Sequence, residues 1–283
     1  MHFKRFLLIQ SRKRTLLAVV WKVYRKVFRP APQYIISIDK LGVPIVYYRD
    51  VGQQRNPVLV CNYALRYYYQ DQSKNYFWNC VDWLTKNLSD KGGFSVWEYN
   101  FPWKIYNLRP PWVSGMAQGL GIKVFVLAYK ESGNEEFIKL AFDALRAFRV
   151  PVKKGGVLQV DESDGGYWYE EYASPSSIRS YVLNGHIFAL EGIYELFALT
   201  KDGTAKMLFD KGVDELKMHI DEYDMGSWTY YDRLKLVASW KYHNLHVNQM
   251  AYLWKVTGDK LFRKYHRKWK SYTQKPLAKI LYQ

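Results

Sequence analysis

The sequence of 283 residues contains little cysteine and lacks the patterns of several large protein classes. Its two cysteines, Cys61 and Cys80, are too few for a disulfide framework and fall outside metal-ligand spacings, so we expect buried thiols. No stretch approaches the roughly 20 apolar residues of a membrane-spanning helix. The glycine pairs lack the lysine and spacing of a phosphate-binding loop, and a Ser-His-Asp hydrolase lacks its nucleophile elbow. Disulfide-stabilised modules, nucleotide enzymes and hydrolases of that type are therefore disfavoured.

Acidic residues are scarce relative to basic ones. Lysine and arginine number 42 against 26 aspartates and glutamates, which gives a formal charge of +16. A field of this sign favours polyanions, among them nucleic acid, anionic lipid and acidic polysaccharide. We expect no nucleic-acid partner, because the basic residues are dispersed and no recognised binding module is present. Aromatic residues make up 18% of the chain, and rings with polar tips suit sugar stacking as well as packing.

Residues 1–29 carry nine lysines or arginines and no acid around two apolar runs, a pattern that predicts a basic amphipathic helix. Such a helix can lie on an anionic membrane surface or pack on the domain with its basic face in water, and both interpretations stay open. A cleaved signal peptide fits poorly because Arg12, Lys13 and Arg14 interrupt the apolar stretch. We expect a cytoplasmic protein, with peripheral contact at the inner face of the membrane as one open role for residues 1–29.

A linker and a short β-hairpin are predicted for residues 30–56. Pro30 ends the first helix, since proline removes a backbone donor and restricts the residue before it. The runs 34–38 and 43–48 are rich in β-branched and aromatic residues, and Gly42 between them suits a turn.

Paired helices are the pattern of residues 57–283, with a period of about 55 to 67 residues. The second helix of each pair is predicted at 76–88, 135–148, 205–219 and 260–272. Stacked αα-hairpins bury their inner faces and curve toward a ring. The expected fold is mainly α, an incomplete α/α toroid of about four αα-hairpins with short β-hairpins in the connecting loops, forming one catalytic domain over residues 57–283.

Three long connections interrupt the helical pattern, at residues 90–114, 151–180 and 221–244, and each contains a strand-like aromatic run after glycine. If all three leave the same ends of their hairpins, they meet over one mouth of the toroid. Loops that a rigid scaffold holds are where binding and catalysis usually occur.

Glu170 and Glu171 are adjacent within the aromatic run 167–172. In an extended segment their side chains face opposite ways, so only one can point into a site. A carboxylate among aromatic rings is partly desolvated, which raises its pKa and suits it to proton transfer. The alternative is a pair of surface carboxylates that balance the excess of lysine and arginine.

Tyrosines beside cations form two further groups. A tyrosine becomes a useful acid or base only near a cation or another ionisable group, which Arg233 supplies for Tyr231 and Lys241 supplies for Tyr242. The alternative is that both tyrosines pack their rings, while His243 and His246 satisfy the next helix. No carboxylate or cysteine completes a metal site with these two histidines, so we expect no bound metal.

Four ordered stretches resemble the C-terminal catalytic domain of the D-glucuronyl C5-epimerases, which convert glucuronic acid to iduronic acid within heparosan or heparan chains. They are WVSGMAQG at 112–119, WYEEY at 168–172, DMGSWTYYD at 224–232 and WKYHNLHVNQ at 240–249. The resemblance covers roughly residues 43–272.

The resemblance implies an α/α toroid with an acidic polysaccharide across its mouth, and no cofactor. The family's catalytic residues match Glu171, Tyr231 and Tyr242, with Tyr172 close by. A homodimer is compatible with this picture. Residues expected to bind the substrate are Tyr172, Trp168, Arg179, Arg233, Lys241, His243, Asn184, Gln118, Trp112 and Arg109.

Inversion at C5 requires an acid/base group on each face of the sugar ring. The hypothesis places Glu171 and Tyr242 on the two faces, with Tyr231 relaying or supplying a proton. Arg233, Arg179 or Lys241 then holds the sugar carboxylate while negative charge accumulates on it. Two alternatives stay open: a polysaccharide lyase, which starts with the same proton abstraction, and a non-catalytic module that binds acidic polysaccharide.

Overall fold

The computed structural model describes residues 34–70, 73–161 and 165–274, so the helix predicted for residues 1–29 lies outside the described residues. The chain divides into two compact units. The larger unit contains residues 34–223 and 232–236, and the described part of the smaller unit contains residues 224–231 and 237–274. Across these described ranges, no helix is both long and apolar enough to cross a membrane.

The larger unit begins with an antiparallel sheet of three strands, β1 (Tyr34–Ile38), β2 (Pro44–Tyr48) and β3 (Gly52–Gln54). Ile36 pairs with Val46, as the expected hairpin requires, and β3 extends that hairpin by one strand. The turn after β1 is held by the Asp39 carboxylate, which accepts hydrogen bonds from the backbone N–H groups of Leu41 and Val43 at 2.9 Å.

The described residues contain eight α-helices that form four αα-hairpins, which confirms the expected fold class. Three hairpins belong to the larger unit and the fourth to the smaller unit. The helices are α1 (Pro57–Tyr69), α2 (Lys74–Lys86), α3 (Gly115–Ser132), α4 (Glu136–Leu145), α5 (Leu183–Thr200), α6 (Gly203–His219), α7 (Trp240–Thr257) and α8 (Lys260–Thr273).

Local sequence signals explain where these helices start and stop. Asn56 caps α1 through a side-chain bond to the Leu59 N–H, and proline at the first helical position has no N–H to satisfy. Ser114 and Ser239 cap α3 and α7 in the same way. Gly133 ends α3 in the left-handed conformation that glycine adopts without strain.

Helices α1, α3 and α5 form the inner row of the larger unit, with α2, α4 and α6 packed outside them. The contact between α3 and α5 is the most extensive, and glycines make it close. A Cβ atom on Gly192 would lie 1.9 Å from the carbonyl oxygen of Gly119, so these two backbones approach at a distance that only glycine allows. Cys61 and Cys80 are buried in this unit as free thiols, as expected.

Two more small sheets lie in the connections of the larger unit. Strands β4 (Leu88–Asp90), β5 (Ser95–Tyr99) and β6 (Trp112–Val113) form one sheet, and β7 (Leu158–Val160) pairs with β8 (Tyr167–Tyr169) in another.

The third connection differs from the expectation. Residues 224–239 contain isolated bridges, such as Asp224 with Thr229, instead of the strand expected after Gly226. The helix that follows starts at Trp240, so the WKYHNLH stretch lies inside α7 rather than in the connection.

Candidate active site

The two glutamates after β8 are both buried, with 0% of Glu170 and 7% of Glu171 exposed. This excludes the interpretation of a surface pair. Strand β8 pairs Trp168 with Gln159 of β7, and this pairing holds the start of the WYEEY motif in extended form. Beyond the strand, Glu170 contacts the turn at residues 180–181, whereas Glu171 contacts Asn184 in α5. The two adjacent side chains therefore have different partners, and both are buried.

Glu171 lies over the first turn of α5. Its Oε2 accepts a hydrogen bond from Asn184 Nδ2 at 3.3 Å. A Cβ atom on Gly185 would lie 2.3 Å from the same oxygen, so the glycine provides the space for the carboxylate. Val182 occupies the N-cap position of α5 and has no side chain that can accept a hydrogen bond. The positive end of the α5 dipole therefore faces the carboxylate of Glu171, which belongs to the segment after β8 rather than to the helix itself.

Glu170 holds the turn that leads into α5. Its carboxylate accepts bonds from the Tyr181 N–H at 3.2 Å and from the Ser180 hydroxyl at 3.3 Å. Burial raises the pKa of Glu170 to about 7, although these bonds and the charge of Arg179 oppose the shift. Tyr181 has a φ of 52°, which is uncommon for a residue with a side chain. We infer that Glu170 stabilises this turn.

Trp168 is the first residue of the WYEEY motif and is fully buried. Its ring stacks on His186 at a centroid distance of 4.0 Å. His186 Nδ1 accepts from the Tyr169 N–H, so its Nε2 donates to the Gly212 carbonyl at 3.0 Å. Burial lowers the pKa of His186 to about 3, which keeps the ring neutral. Trp168, expected to bind substrate, is therefore a packing residue in this structure.

Tyr172, the last residue of the motif, joins an aromatic cluster. Its ring centroid lies 4.6 Å from that of Tyr106, 5.8 Å from that of Trp112 and 6.4 Å from that of Trp103. Trp112 is itself buried, and its Nε1 donates to the Phe101 carbonyl at 2.7 Å. Tyr172 and Trp103 keep partial exposure and can offer ring surface to a sugar. Trp103 and Tyr106 are not among the site residues that the sequence predicts.

Asp232, which ends the DMGSWTYYD motif, accepts a hydrogen bond from the Tyr106 hydroxyl at 2.7 Å. It also accepts one from the Leu236 N–H at 3.0 Å. Burial and the bond to Asp232 raise the pKa of Tyr106 well above its ordinary value. Tyr106 therefore stays protonated and anchors the segment 232–236.

Arg233 lies within an ionic network of the larger unit. Its Nε donates to Glu222 at 3.0 Å, its guanidinium lies 3.7 Å from an oxygen of Asp161, and it stacks on the Tyr181 ring at 4.4 Å. The potential ligand atoms of Asp161, Glu215 and His219 lie within 4.8 Å of one another, which is close enough for a metal ion. In this structure the Arg233 guanidinium already balances the negative charge of Asp161. These contacts account for Arg233 within the fold rather than at a substrate carboxylate.

Arg179 and Gln118 are also committed to internal contacts. Arg179 donates to Gln159 Oε1 at 2.9 Å and to the Ser174 carbonyl at 3.0 Å, which holds the loop between β8 and α5. Gln118 is buried and donates to the Ser95 carbonyl at 2.9 Å, which joins α3 to β5. Arg109, by contrast, is exposed.

The smaller unit contains the tyrosine pair. The rings of Tyr231 and Tyr242 meet edge to face with centroids 4.7 Å apart. Tyr231 is buried, while Tyr242 is partly exposed and lies in the first turn of α7, where its N–H faces the Ser239 cap. Lys241, beside it in the same turn, is exposed.

His243 and His246 share the Thr229 hydroxyl inside the smaller unit. His243 Nε2 donates to the Trp269 carbonyl at 3.0 Å, so its Nδ1 accepts the Thr229 proton, and His246 Nδ1 donates to the same hydroxyl at 3.1 Å. Burial lowers the pKa of His243 to about 4 and that of His246 to about 3, so both rings are neutral. Contrary to the expectation of substrate binding, His243 packs against Trp228 and satisfies the neighbouring helix.

A family model described as the D-glucuronyl C5-epimerase C-terminus matches residues 90–271, which include Glu171, Tyr231 and Tyr242. The chain belongs to the D-glucuronyl C5-epimerase family. It is 34% identical over 230 residues to the D-glucuronyl C5-epimerase of Caenorhabditis elegans, an alignment that covers 74% of this chain but only 37% of that enzyme. It is also 32% identical over 261 residues to an uncharacterized protein of Methanocaldococcus jannaschii, with 83% of this chain and 84% of that protein aligned.

Among solved structures, cellobiose 2-epimerase from Bacillus thermoamylovorans matches with a TM-score of 0.56 and 14% identity. The match covers 78% of this chain and 61% of that enzyme. At this identity the likeness shows the fold alone, and it places the chain among α/α-toroid proteins.

Proposed function

We propose that the protein is a carbohydrate epimerase that inverts C5 of D-glucuronic acid residues to L-iduronic acid within an acidic, heparosan-like polysaccharide. Membership of the family supports the reaction class. The observation that carries the proposal is the position of Glu171: a buried carboxylate at the first turn of α5, with a hydrogen bond from Asn184. A desolvated carboxylate at a fixed position is a suitable proton acceptor.

The reaction removes the proton from C5 and returns one to the opposite face. The electron pair left at C5 delocalises into the adjacent sugar carboxylate, and reprotonation restores the C–H bond with inverted configuration. The proposal assigns one proton transfer to Glu171 and the other to the Tyr231–Tyr242 pair. Tyr242 suits this role because the first turn of a helix favours negative charge, which develops on a phenol that gives up a proton.

A cation is needed for the carboxylate that carries the developing charge. Arg179 and Arg233 are engaged in the internal contacts described above. Lys241 has an exposed ammonium in the same helical turn as Tyr242. Lys241 is therefore the preferred candidate for this contact.

The proposal is tested by incubating the protein with a glucuronic-acid polymer in deuterated water and following C5 by NMR. Solvent deuterium at C5 together with iduronate is the expected result. Glu171→Gln and Tyr242→Phe are expected to remove exchange while substrate binding persists. Glu98→Gln and Tyr230→Phe, which change the same side chains at partly exposed positions, are the matched controls and are expected to keep exchange.

Three outcomes would contradict the proposal. Absence of both deuterium at C5 and iduronate would exclude the epimerase reaction. An unsaturated product that absorbs in the near ultraviolet would instead identify a lyase. Polymer binding that Glu171→Gln leaves intact, without exchange in the unmodified protein, would identify a binding module.

A further inference from the structure

A recess of about 320 Å³ opens where three helices of the larger unit end or begin. The last turn of α1 contributes Tyr68 and Tyr69, and the first turns of α2 contribute Phe77 and Trp78. Glu131, in the last turn of α3, completes the wall. We call this feature the aromatic recess. Its volume lies at the lower end of the range for small-molecule sites, which are mostly apolar with a few fixed polar groups.

The rings of the aromatic recess support one another. Tyr68 meets Tyr69 edge to face with centroids 5.0 Å apart, and Phe77 lies 5.2 Å from both Tyr68 and Trp78. Phe77 is buried beneath the others, whereas 62% of Tyr69 is exposed. An exposed ring on a buried aromatic support offers a rigid apolar surface that loses little conformational entropy on binding.

The polar groups of the aromatic recess are fixed by one another. Glu131 accepts a hydrogen bond from the Tyr68 hydroxyl at 3.0 Å and pairs with Lys74 Nζ at 3.2 Å. The hydrogen bonds from Lys74 and then from Tyr68 lower the pKa of Glu131, so it is ionised at neutral pH. The recess thus presents a carboxylate acceptor and an ammonium donor next to ring surfaces.

The aromatic recess is remote from Glu171. The N–H of Gly115, at the start of α3, donates to the Glu170 carbonyl at 2.7 Å, so this end of α3 lies against the WYEEY motif. Glu131 lies at the other end of the same helix. At 1.5 Å per residue, the 16 steps from residue 115 to residue 131 span about 24 Å. A sugar bound in the recess is therefore a separate unit from one that contacts Glu171.

We propose that the aromatic recess binds an uncharged pyranose unit of a polysaccharide. The apolar C–H face of a pyranose ring matches an exposed tyrosine ring, and its hydroxyl groups match the Glu131 carboxylate and the Lys74 ammonium. A uronate, a sulfate or a phosphate fits poorly, because Glu131 repels it and Lys74 is already paired with that carboxylate. That the unit belongs to the substrate polymer rests on the proposed function, whereas binding of the uncharged sugar does not.

The test is a titration of the full chain with N,N′-diacetylchitobiose, an uncharged disaccharide, by saturation-transfer NMR. Tyr69→Ala and Trp78→Ala are expected to weaken binding about five- to tenfold, the effect of one lost ring contact. Tyr47→Ala is the matched control, since Tyr47 is 49% exposed on β2 and does not line the recess. Glu131→Gln is expected to admit glucuronic acid, which the unmodified recess rejects.

Titrations in a Glu171→Gln background separate this proposal from the proposed function, because they need no turnover. Equal affinity in the Glu171→Gln chain with and without Tyr69→Ala or Trp78→Ala would overturn the proposal. Binding of glucuronic acid as tight as that of the uncharged disaccharide would also overturn it. If Trp78→Ala lowers the unfolding midpoint, the Tyr69→Ala variant replaces it, because Tyr69 is exposed. A shift of the Trp78 indole N–H signal on addition of the disaccharide then supports the proposal, and an unchanged signal together with unchanged affinity in Tyr69→Ala overturns it.

Discussion

The candidate catalytic residues form two clusters, Glu171 with Asn184 at α5 and the Tyr231–Tyr242 pair at α7. Both clusters involve the first turn of a helix, but the functional side chains reach that turn differently. In the smaller unit, α7 supplies Tyr242 itself, and Ser239 caps the turn. In the larger unit, α5 has Val182 at its N-cap, and Glu171 comes to the turn from 13 residues before its partner Asn184. Tyr242 thus depends on one helix and its cap, whereas Glu171 depends on the fit between two separate segments.

The buried titratable groups of the two clusters differ as well. Burial raises the pKa of Glu170 to about 7, so this carboxyl changes charge near neutral pH. The pKa values of His243 and His246 are lowered to about 4 and about 3, so the histidines beside the tyrosine pair stay neutral. The surroundings of Glu171 are therefore sensitive to pH in a range where those of Tyr242 are not.

Gly185→Ala should produce the largest effect, because it tests whether Glu171 depends on fit between segments. The added Cβ would lie 2.3 Å from Glu171 Oε2 and would displace the carboxylate. We expect deuterium exchange at C5 to fall by about 10²-fold or more, since a shift of about 1 Å at a catalytic group has effects of this size. Gly203→Ala is the control, because its Cβ meets no atom within 4 Å at the start of α6. Exchange that survives in Gly185→Ala would contradict the assignment of Glu171.

Glu170→Gln tests the difference in pH sensitivity. The folded-state pKa of Glu170 is about 7 against an ordinary value of 4.5, so the folded protein binds this proton more tightly than the unfolded chain does. The resulting stabilisation is complete below about pH 4.5 and is lost as the pH rises through 7, a change of about 3 kcal/mol. The variant lacks this dependence.

Relative to the unmodified protein, Glu170→Gln should therefore be more stable at pH 8 than it is at pH 5. Urea unfolding at the two pH values measures this difference. The same difference in unfolding free energy at both pH values would show that Glu170 does not titrate in this range.

Thr229→Val tests the corresponding buried group of the smaller unit. The Thr229 hydroxyl serves both His243 and His246, and its loss leaves an acceptor and a donor nitrogen buried without that partner. We expect a loss of about 1 to 3 kcal/mol in unfolding free energy, equal at pH 6 and pH 8 because both rings are already neutral. Thr257→Val in the same unit, where the hydroxyl bonds the Leu253 carbonyl in a partly exposed turn, should cost less. A loss that depends on pH in this range would contradict the neutral tautomers.

Much of the scaffold could be predicted from the sequence, because its signals are local. Helix periodicity and turn residues predict four helix pairs, and all four predicted second helices begin within two residues of the observed ones. The predicted third connection runs to residue 244, whereas α7 starts at Trp240, and Ser239 before it carries the signal of an N-cap. With that start, His243, which falls within the predicted connection, lies in the helix and is buried like His246.

The roles of charged residues could not be predicted in the same way, because their partners lie far apart in the sequence. The motif identifies Glu171, but the groups that bond the buried Glu170 belong to Ser180 and Tyr181, ten and eleven residues later. Arg233 was expected at the substrate, whereas Asp161 and Glu222 engage it. The alternation of side chains along a strand predicts which face each side chain is on. It does not reveal which other segments of the chain cover that face.

Lys241→Ala should have the smallest effect, and it tests whether the exposed first turn of α7 guides the substrate. Lys241 is exposed beside Tyr242, so its removal leaves the fold unchanged and weakens attraction for an anionic polymer. We expect KM to rise about two- to fivefold at low salt, and the rise to shrink as salt screens the charge. We expect kcat to fall as well, because Lys241 is the cation proposed for the sugar carboxylate, while the unfolding midpoint stays unchanged. Lys255→Ala, an exposed lysine in the last turn of the same helix, should leave KM unchanged. An equal rise in KM for both variants would mean that net charge, rather than the position of Lys241, attracts the polymer.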